Sequence, residues 1–297
     1  MARPDGEAGA PPDARPLKVL YIMGAGRSGS TILGVALGNC TGVFFAGELD
    51  RWLVRAGRPR RDGEQLEQLW SGILADMNVP DGLFGGISTC LERSSSLLDP
   101  RRWHRRRSLR VRYRQASDEL YRAIAKATAA NAIVDSSHYP LRARELRALP
   151  GIELHLIYLM RDPQHVVASL GRRDVPERTF GPLAANAYLW LTQALSTLVF
   201  SAHPRSRRIF VRYEDFLADP ERVLREILGR CGLEGELPDL STLQTGLPFH
   251  GNRLIESETV TLSQRPPGEV HRSRLTALAQ LPWLLLSARL RPSAARV

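Results

Sequence analysis

Residues 19–34 read Val-Leu-Tyr-Ile-Met-Gly-Ala-Gly-Arg-Ser-Gly-Ser-Thr-Ile-Leu-Gly, an apolar run that stops at a glycine-rich turn and restarts as a helical pattern. A buried strand feeding such a turn and then a helix start aims several backbone N–H groups at one point, which makes an anion site. Gly24, Gly29, Ser30 and Thr31 nearly spell the phosphate loop G-x-x-x-x-G-K-[ST]. Ser30 stands where the lysine belongs, and the cation has moved forward to Arg27. A loop that binds phosphate but lacks the lysine for a γ-phosphate is not an ATP site by default.

Further strand signals fall at 42–45, 132–135, 153–159 and 208–213, beside the first at 18–23. Several are short apolar runs without alternation, as strands buried on both faces are. Helical patterns lie between and after them, at 30–39, 64–77, 115–130, 141–149, 163–172, 182–202 and 220–231. Alternating strands and helices predict an α/β fold, a parallel sheet flanked by helices around a P-loop NTPase-like core. Residues 50–114 are rich in Gly, Ser and Arg and carry no strand signal, so they read as an inserted helical cap.

The chain of 297 residues is long enough for one domain over 17–297 with that insertion. Residues 1–16, rich in Pro, Gly, Ala and Asp without an apolar core, read as a disordered leader. The most apolar late stretch, 275–290, is interrupted by Gln280, Pro282 and Arg289 and is too short to span a bilayer, so no transmembrane segment is expected. Cys40, Cys90 and Cys231 form neither a metal pattern nor a disulfide framework, which points to a reducing, cytoplasmic setting.

Three later segments complete the pattern begun by the loop. Leu159-Met160-Arg161-Asp162-Pro163 follows a strand, with Ser169 eight residues after the arginine. Ile133-Val134-Asp135-Ser136-Ser137-His138-Tyr139-Pro140 closes the preceding strand, and Val211-Arg212-Tyr213-Glu214-Asp215-Phe216 closes the last. In this order, over roughly residues 18–255, the segments resemble the sulfotransferases that use 3′-phosphoadenosine-5′-phosphosulfate (PAPS).

The resemblance implies that Arg27, Ser28, Gly29, Ser30 and Thr31 form the loop for the 5′-phosphosulfate, with Arg27 stabilising the leaving phosphate oxygen. It implies that Arg161 and Ser169 grip the 3′-phosphate, for which an arginine fork is suited. Tyr213 matches a tyrosine near the adenosine, and Gly251-Asn252-Arg253 is similar to a late basic segment that closes over the 3′-phosphate. The implied reaction moves a sulfuryl group to a hydroxyl, or an amine, of a small molecule, lipid or glycan and releases adenosine 3′,5′-bisphosphate. No metal is required, because Arg27 and the loop amides supply the stabilisation.

The acceptor must lose a proton, which calls for a base. Ser137-His138-Tyr139-Pro140 is similar to the Thr-His-Leu-Pro of cytosolic sulfotransferases, whose histidine is that base. Glu48, in Ala46-Gly47-Glu48-Leu49 after the second strand, is the rival, since a glutamate near this position serves in the carbohydrate and bacterial branches. One as base with the other orienting the acceptor is a third arrangement. His250 reads as a loop histidine near the Gly-Asn-Arg segment.

The net charge is +10, and residues 101–114 hold eight arginines and no acid. That run reads as a solvated helix or loop, or as a field attracting an anionic acceptor or donor. Trp103 and Tyr113 are too few for a stacking platform, so no nucleic acid is expected as a partner. Two other functions stay open. Asp135 at a strand end suits a P-loop kinase using ATP and Mg²⁺, and the same loop suits a non-catalytic protein that binds PAPS or sulfated ligands. The oligomeric state is not encoded in any of these features.

Overall fold

The computed structural model describes residues 16–80, 82–171, 181–262 and 274–290. The expected leader therefore lies outside the described residues except for Pro16, as does Arg172 at the end of one expected helix.

Five strands form one parallel sheet: β1 (Leu17–Gly24), β2 (Val43–Gly47), β3 (Ala132–His138), β4 (Ile152–Met160) and β5 (Arg208–Arg212), in the order β2-β3-β1-β4-β5. The first strand is central because its six residues from Val19 to Gly24 are all buried and it pairs on both edges. Its side chains alternate between two cores. Val19, Tyr21 and Met23 enter one, while Leu20 and Ile22 enter the other.

The second core is closed by α1 (Ser30–Gly38), α9 (Tyr213–Ala218) and α10 (Pro220–Arg230), counting helices along the chain. The first is closed by the helices between β2 and β3 and by later ones. These are α2 (Asp50–Val54), α3 (Glu64–Ala75), α5 (Arg101–Thr128), α6 (Pro140–Leu146) and α8 (Pro182–Ser201). Two further helices are α4 (Thr89–Glu92) and α7 (Pro163–Leu170). A two-stranded ribbon, β6 (Leu243–Gln244) with β7 (Thr259–Val260), precedes α11 (Arg274–Leu290). The result is a three-layer α/β fold with the sheet in the middle.

Helix α5 corrects the expected start at residue 115. It begins at Arg101 and runs 28 residues, so the arginine run is its first half. Arginine is a good helix former, and Leu109, Tyr113, Ala116, Leu120 and Ile124 carry the buried stripe back into the run. Asp99 Oδ1, one residue before the Pro100 cap position, accepts the Arg101 N–H at 3.1 Å and satisfies one of the free donors of the first turn.

Among the described helices, Pro182–Ser201 is long and apolar enough to cross a membrane by length and composition. In the fold it lies on α6 and α7, with Leu189, Val199 and Phe200 buried. The three cysteines are buried and unpaired.

Candidate active site

The crevice lies at the carboxyl end of β1, where the neighbouring strands β3 and β4 leave in opposite directions along the sheet. The turn from β1 to α1 holds Arg27 at φ 71° and Gly29 at φ 95°, both left-handed. Arginine in that region is uncommon and is tolerated where surrounding structure fixes it. At Gly29 a side chain is impossible for a second reason. A Cβ would lie 2.3 Å from Cε2 and 2.4 Å from Cδ2 of Tyr213, whose ring packs against the turn.

Helix α1 then starts at Ser30 with no side-chain cap and no acidic residue in its first turn. Its leading N–H groups carry the positive end of the helix dipole. Thr31 is buried just behind them, and the buried Ser28 Oγ has no hydrogen-bond partner among the described residues.

Arg27, Ser169, Arg161 and Tyr213 meet on the β4 side. Arg27 Nε donates to Ser169 Oγ at 3.1 Å, and Arg161 Nη1 donates to the Arg27 carbonyl at 3.1 Å. The Arg161 guanidinium also lies 4.8 Å from the centre of the Tyr213 ring. Its Nε is buried without a hydrogen-bond partner among the described residues. Arg161 is delivered by the end of β4, and Ser169 by α7, about two turns further on. The helix start between them is built as its sequence suggests, with Asp162 Oδ1 accepting the Gln164 N–H at 2.9 Å and Pro163 in the first turn.

His138 and Glu48 meet on the other side. Between β1 and β3 the pairing steps from Tyr21–Asp135 to Met23–His138, so β3 carries one extra residue before the histidine. That bulge turns His138 to φ 56° and re-aims its ring. Its Nε2 faces the loop, 3.7 Å from where a Gly26 Cβ would be. Burial pushes the His138 imidazole below its usual pKa, only partly offset by the Glu48 charge.

Glu48 is held beside it by β2. His250 Nδ1 sits 3.0 Å from Glu48 Oε2, and the Glu48 N–H donates to the His250 carbonyl at 2.8 Å. Gly47 makes that approach possible, since a Cβ there would lie 2.2 Å from the His250 carbonyl oxygen. Burial pushes the Glu48 carboxyl up, but the His250 hydrogen bond, with the Arg51 charge among smaller contributions, outweighs it and holds the group below its ordinary value. His250, expected as a loop histidine, is thus the partner of Glu48.

The bulge is anchored from beneath by Asp135. Ser137 donates both its N–H, at 2.8 Å, and its hydroxyl to Asp135 Oδ1. Tyr121 OH, at 2.6 Å, and the Arg142 guanidinium, at 3.1 Å, take Oδ2. Arg142 also reaches Glu92 Oε1 at 3.2 Å and Tyr113 OH at 2.6 Å. Ser137 Oγ then accepts the Asp50 N–H at 3.0 Å, tying α2 to the strand end. With both oxygens engaged and a guanidinium against one of them, Asp135 is a poor ligand for Mg²⁺, which weakens the kinase alternative.

Two more placements matter. Gly251 accepts a hydrogen bond from Arg60 Nη1 at 2.9 Å, and Asn252 Oδ1 accepts the Leu254 N–H at 2.8 Å ahead of the turn Arg253–Glu256. That segment adjoins Glu48 through His250. Tyr188 of α8, which sequence reading passed over, accepts the Gly26 N–H at 3.0 Å beside His138. Its only sequence signal is a tyrosine in an apolar helix.

The sequence profile of the Sulfotransferase family matches residues 20–239. Among solved structures, the chain is similar to the sulfotransferase domain from the curacin biosynthetic pathway, with 18% identity and a TM-score of 0.52, covering 91% of this chain and 99% of that one. It is also similar to the sulfotransferase domain of the Synechococcus PCC 7002 olefin synthase, with 19% identity and a TM-score of 0.51, covering 94% of this chain and 98% of that one. These likenesses establish the fold. A comparison with curated proteins finds no match.

Proposed function

The chain belongs to the sulfotransferase family, and from that premise we propose that it moves a sulfuryl group from PAPS to a hydroxyl, or an amine, of a small-molecule, lipid or glycan acceptor. The observation that carries the donor assignment is a convergence. The uncapped α1 N-terminus flanks the Arg27–Ser169 contact together with Ser28 Oγ and Arg161 Nε, both buried without a hydrogen-bond partner among the described residues. Buried donors without partners are costly and are retained where a ligand completes them. A nucleotide with phosphate at both ends fits that set.

In this reading the backbone N–H groups from Ser28 to Thr31 and the Ser30 and Thr31 hydroxyls hold the 5′-phosphate. Arg161 and Ser169 take the 3′-phosphate, Tyr213 lies near the adenosine, and Gly251-Asn252-Arg253 lies over the donor. PAPS supplies an activated sulfuryl group. His138, kept neutral by burial, takes the acceptor proton as the acceptor oxygen bonds to sulfur. The sulfur–oxygen bond to the 5′-phosphate breaks, and Arg27 with the loop amides stabilises the charge left on that oxygen. Glu48, held ionised by His250, is the weaker base, and its role is to orient the acceptor and the His138 ring. The segment 50–114 and α8, which bring Asp50 and Tyr188 to the crevice, wall the acceptor.

The test is transfer of labelled sulfate from PAPS to a panel of alcohols, phenols, sugars and amines. The reading expects a labelled acceptor, released adenosine 3′,5′-bisphosphate and no transfer by Arg27→Ala. Phosphoryl transfer dependent on ATP and Mg²⁺ would overturn it. So would bisphosphate binding without turnover across the panel.

A further inference from the structure

The arginine run contributes to a second place outside the crevice. Leu97, Trp103, Arg106, Arg107 and Arg110, with Arg144 of α6, line a wide-mouthed surface cleft of about 250 Å³. Several of these cations are already held in position. Arg110 Nε lies 3.1 Å from the buried Glu145 Oε2, and Arg144 Nη2 lies 3.0 Å from Glu145 Oε1. A single carboxylate therefore stands against four lining arginines, which leaves the cleft strongly cationic.

Arg106 is the decisive residue. It is 5% exposed, and its Nη1 donates to Ser96 Oγ at 2.9 Å. Its Nη2 is buried with no hydrogen-bond partner among the described residues. A buried guanidinium with an unused donor, beside three like charges, is an expensive arrangement unless an anion completes it. Burial and the nearby Arg144 charge push the Arg106 guanidinium below its usual pKa, a strain that an anion relieves.

Trp103 and Leu97 add apolar surface to the lining. Trp103 is 55% exposed and is pinned by its Nε1–H, which donates to the Leu97 carbonyl at 3.2 Å. An indole held in place beside guanidinium groups suits a flat or hydrocarbon body with an anionic head.

We propose that this cleft binds an organic phosphate or sulfate monoester, its anionic head on Arg106, Arg107, Arg110 and Arg144 and its apolar body on Trp103 and Leu97. The inference does not depend on the chemistry assigned to the crevice. The site bridges α5 and α6, and α6 is the helix that leaves His138 through Pro140.

The experiment is a calorimetric titration of the full chain with phenyl phosphate, inorganic phosphate or phenol, with adenosine 3′,5′-bisphosphate present in excess. Saturable binding at one site is expected, strongest for phenyl phosphate. Arg107→Ala and Arg144→Ala, both at partly exposed positions, should each weaken it by about tenfold, the loss of one charge-assisted hydrogen bond, with the melting temperature held. Arg106→Lys should weaken it as well, and Trp103→Ala should remove the advantage of phenyl phosphate over inorganic phosphate. The proposal is overturned by an absence of saturation, or by binding that both arginine variants leave unchanged. It is overturned equally if binding falls with Arg161→Ala instead, which would place the probe in the crevice.

Discussion

His138 combines a left-handed backbone, a bulged strand end and an imidazole that burial keeps neutral. A base must be neutral to accept a proton, so the rate should fall as acid protonates it. Because burial lowers its pKa in the free protein, the acid limb of kcat/KM against pH should lie below the ordinary histidine value of about 6.5. An acid limb above that value would contradict the assignment. His138→Ala should lower kcat by about 10²–10⁴-fold while leaving stabilisation by adenosine 3′,5′-bisphosphate intact. A variant that loses nucleotide binding and rate together would mark the residue as structural. At Gly29, alanine must adopt φ 95° with its Cβ against the Tyr213 ring. Nucleotide affinity in Gly29→Ala should fall at least tenfold by calorimetry, the equivalent of about 1.4 kcal/mol, within the usual range for such strain. The loop and the Arg161…Ser169 spacing stand out in the sequence because each is a local pattern, and the structure brings both residues to Arg27. The Glu48–His250 pair does not, since 202 residues separate its members and only the Gly47 approach brings them together. The Asp135 network was hidden for the same reason: a carboxylate at a strand end reads alike whether it awaits a metal or an arginine.

Among elements, α5 and α6 do most to fix the strand end beneath His138. Arg142 of α6 joins Asp135 of β3 to Glu92 of α4 and to Tyr113 and Tyr121 of α5, all of them buried. Removing one member strands buried charge, so Arg142→Ala should destabilise the fold by about 3–5 kcal/mol in denaturant unfolding. A change within the scatter of surface substitutions would mean the network contributes little. Just beyond α8, His203 is buried. His203 Nε2 sits 2.9 Å from the Leu154 carbonyl of β4, and burial lowers its pKa from 6.5 to about 4. Below 6.5 the unfolded chain takes up the proton that the folded chain refuses, so its contribution is complete above that pH and is lost as pH falls toward about 4. The melting temperature of His203→Gln should accordingly change less over that window than that of the unchanged chain, and parallel curves would contradict this. The five strands were readable because unbroken apolar runs mark strands buried on both faces. The first half of α5 was not, because eight arginines mask a stripe that begins at Leu109.

For the whole molecule, the order β2-β3-β1-β4-β5 brings segments far apart in sequence to the carboxyl end of β1. The proposed phosphate-binding groups, Arg27, Arg161 and Ser169, collect on the β4 side and the candidate base on the β3 side, the arrangement that the proposed transfer over the loop requires. Acceptor identity is not legible in the sequence, since the proposed acceptor walls, α2 and α8, belong to no single motif and reach the site through Asp50 and Tyr188. The donor site carries the account, and ligand-linked stability measures it directly. A ligand at about 100 times its Kd that binds only the folded state adds about 2.7 kcal/mol. Thermal melting with adenosine 3′,5′-bisphosphate, with ATP and Mg²⁺, and with neither is therefore the measurement to make, on the unchanged chain and on Arg161→Ala. If the donor site is as proposed, the bisphosphate raises the melting temperature by several degrees and Arg161→Ala abolishes that rise. A rise with ATP and Mg²⁺ alone, or a bisphosphate effect that survives Arg161→Ala, would contradict the proposal.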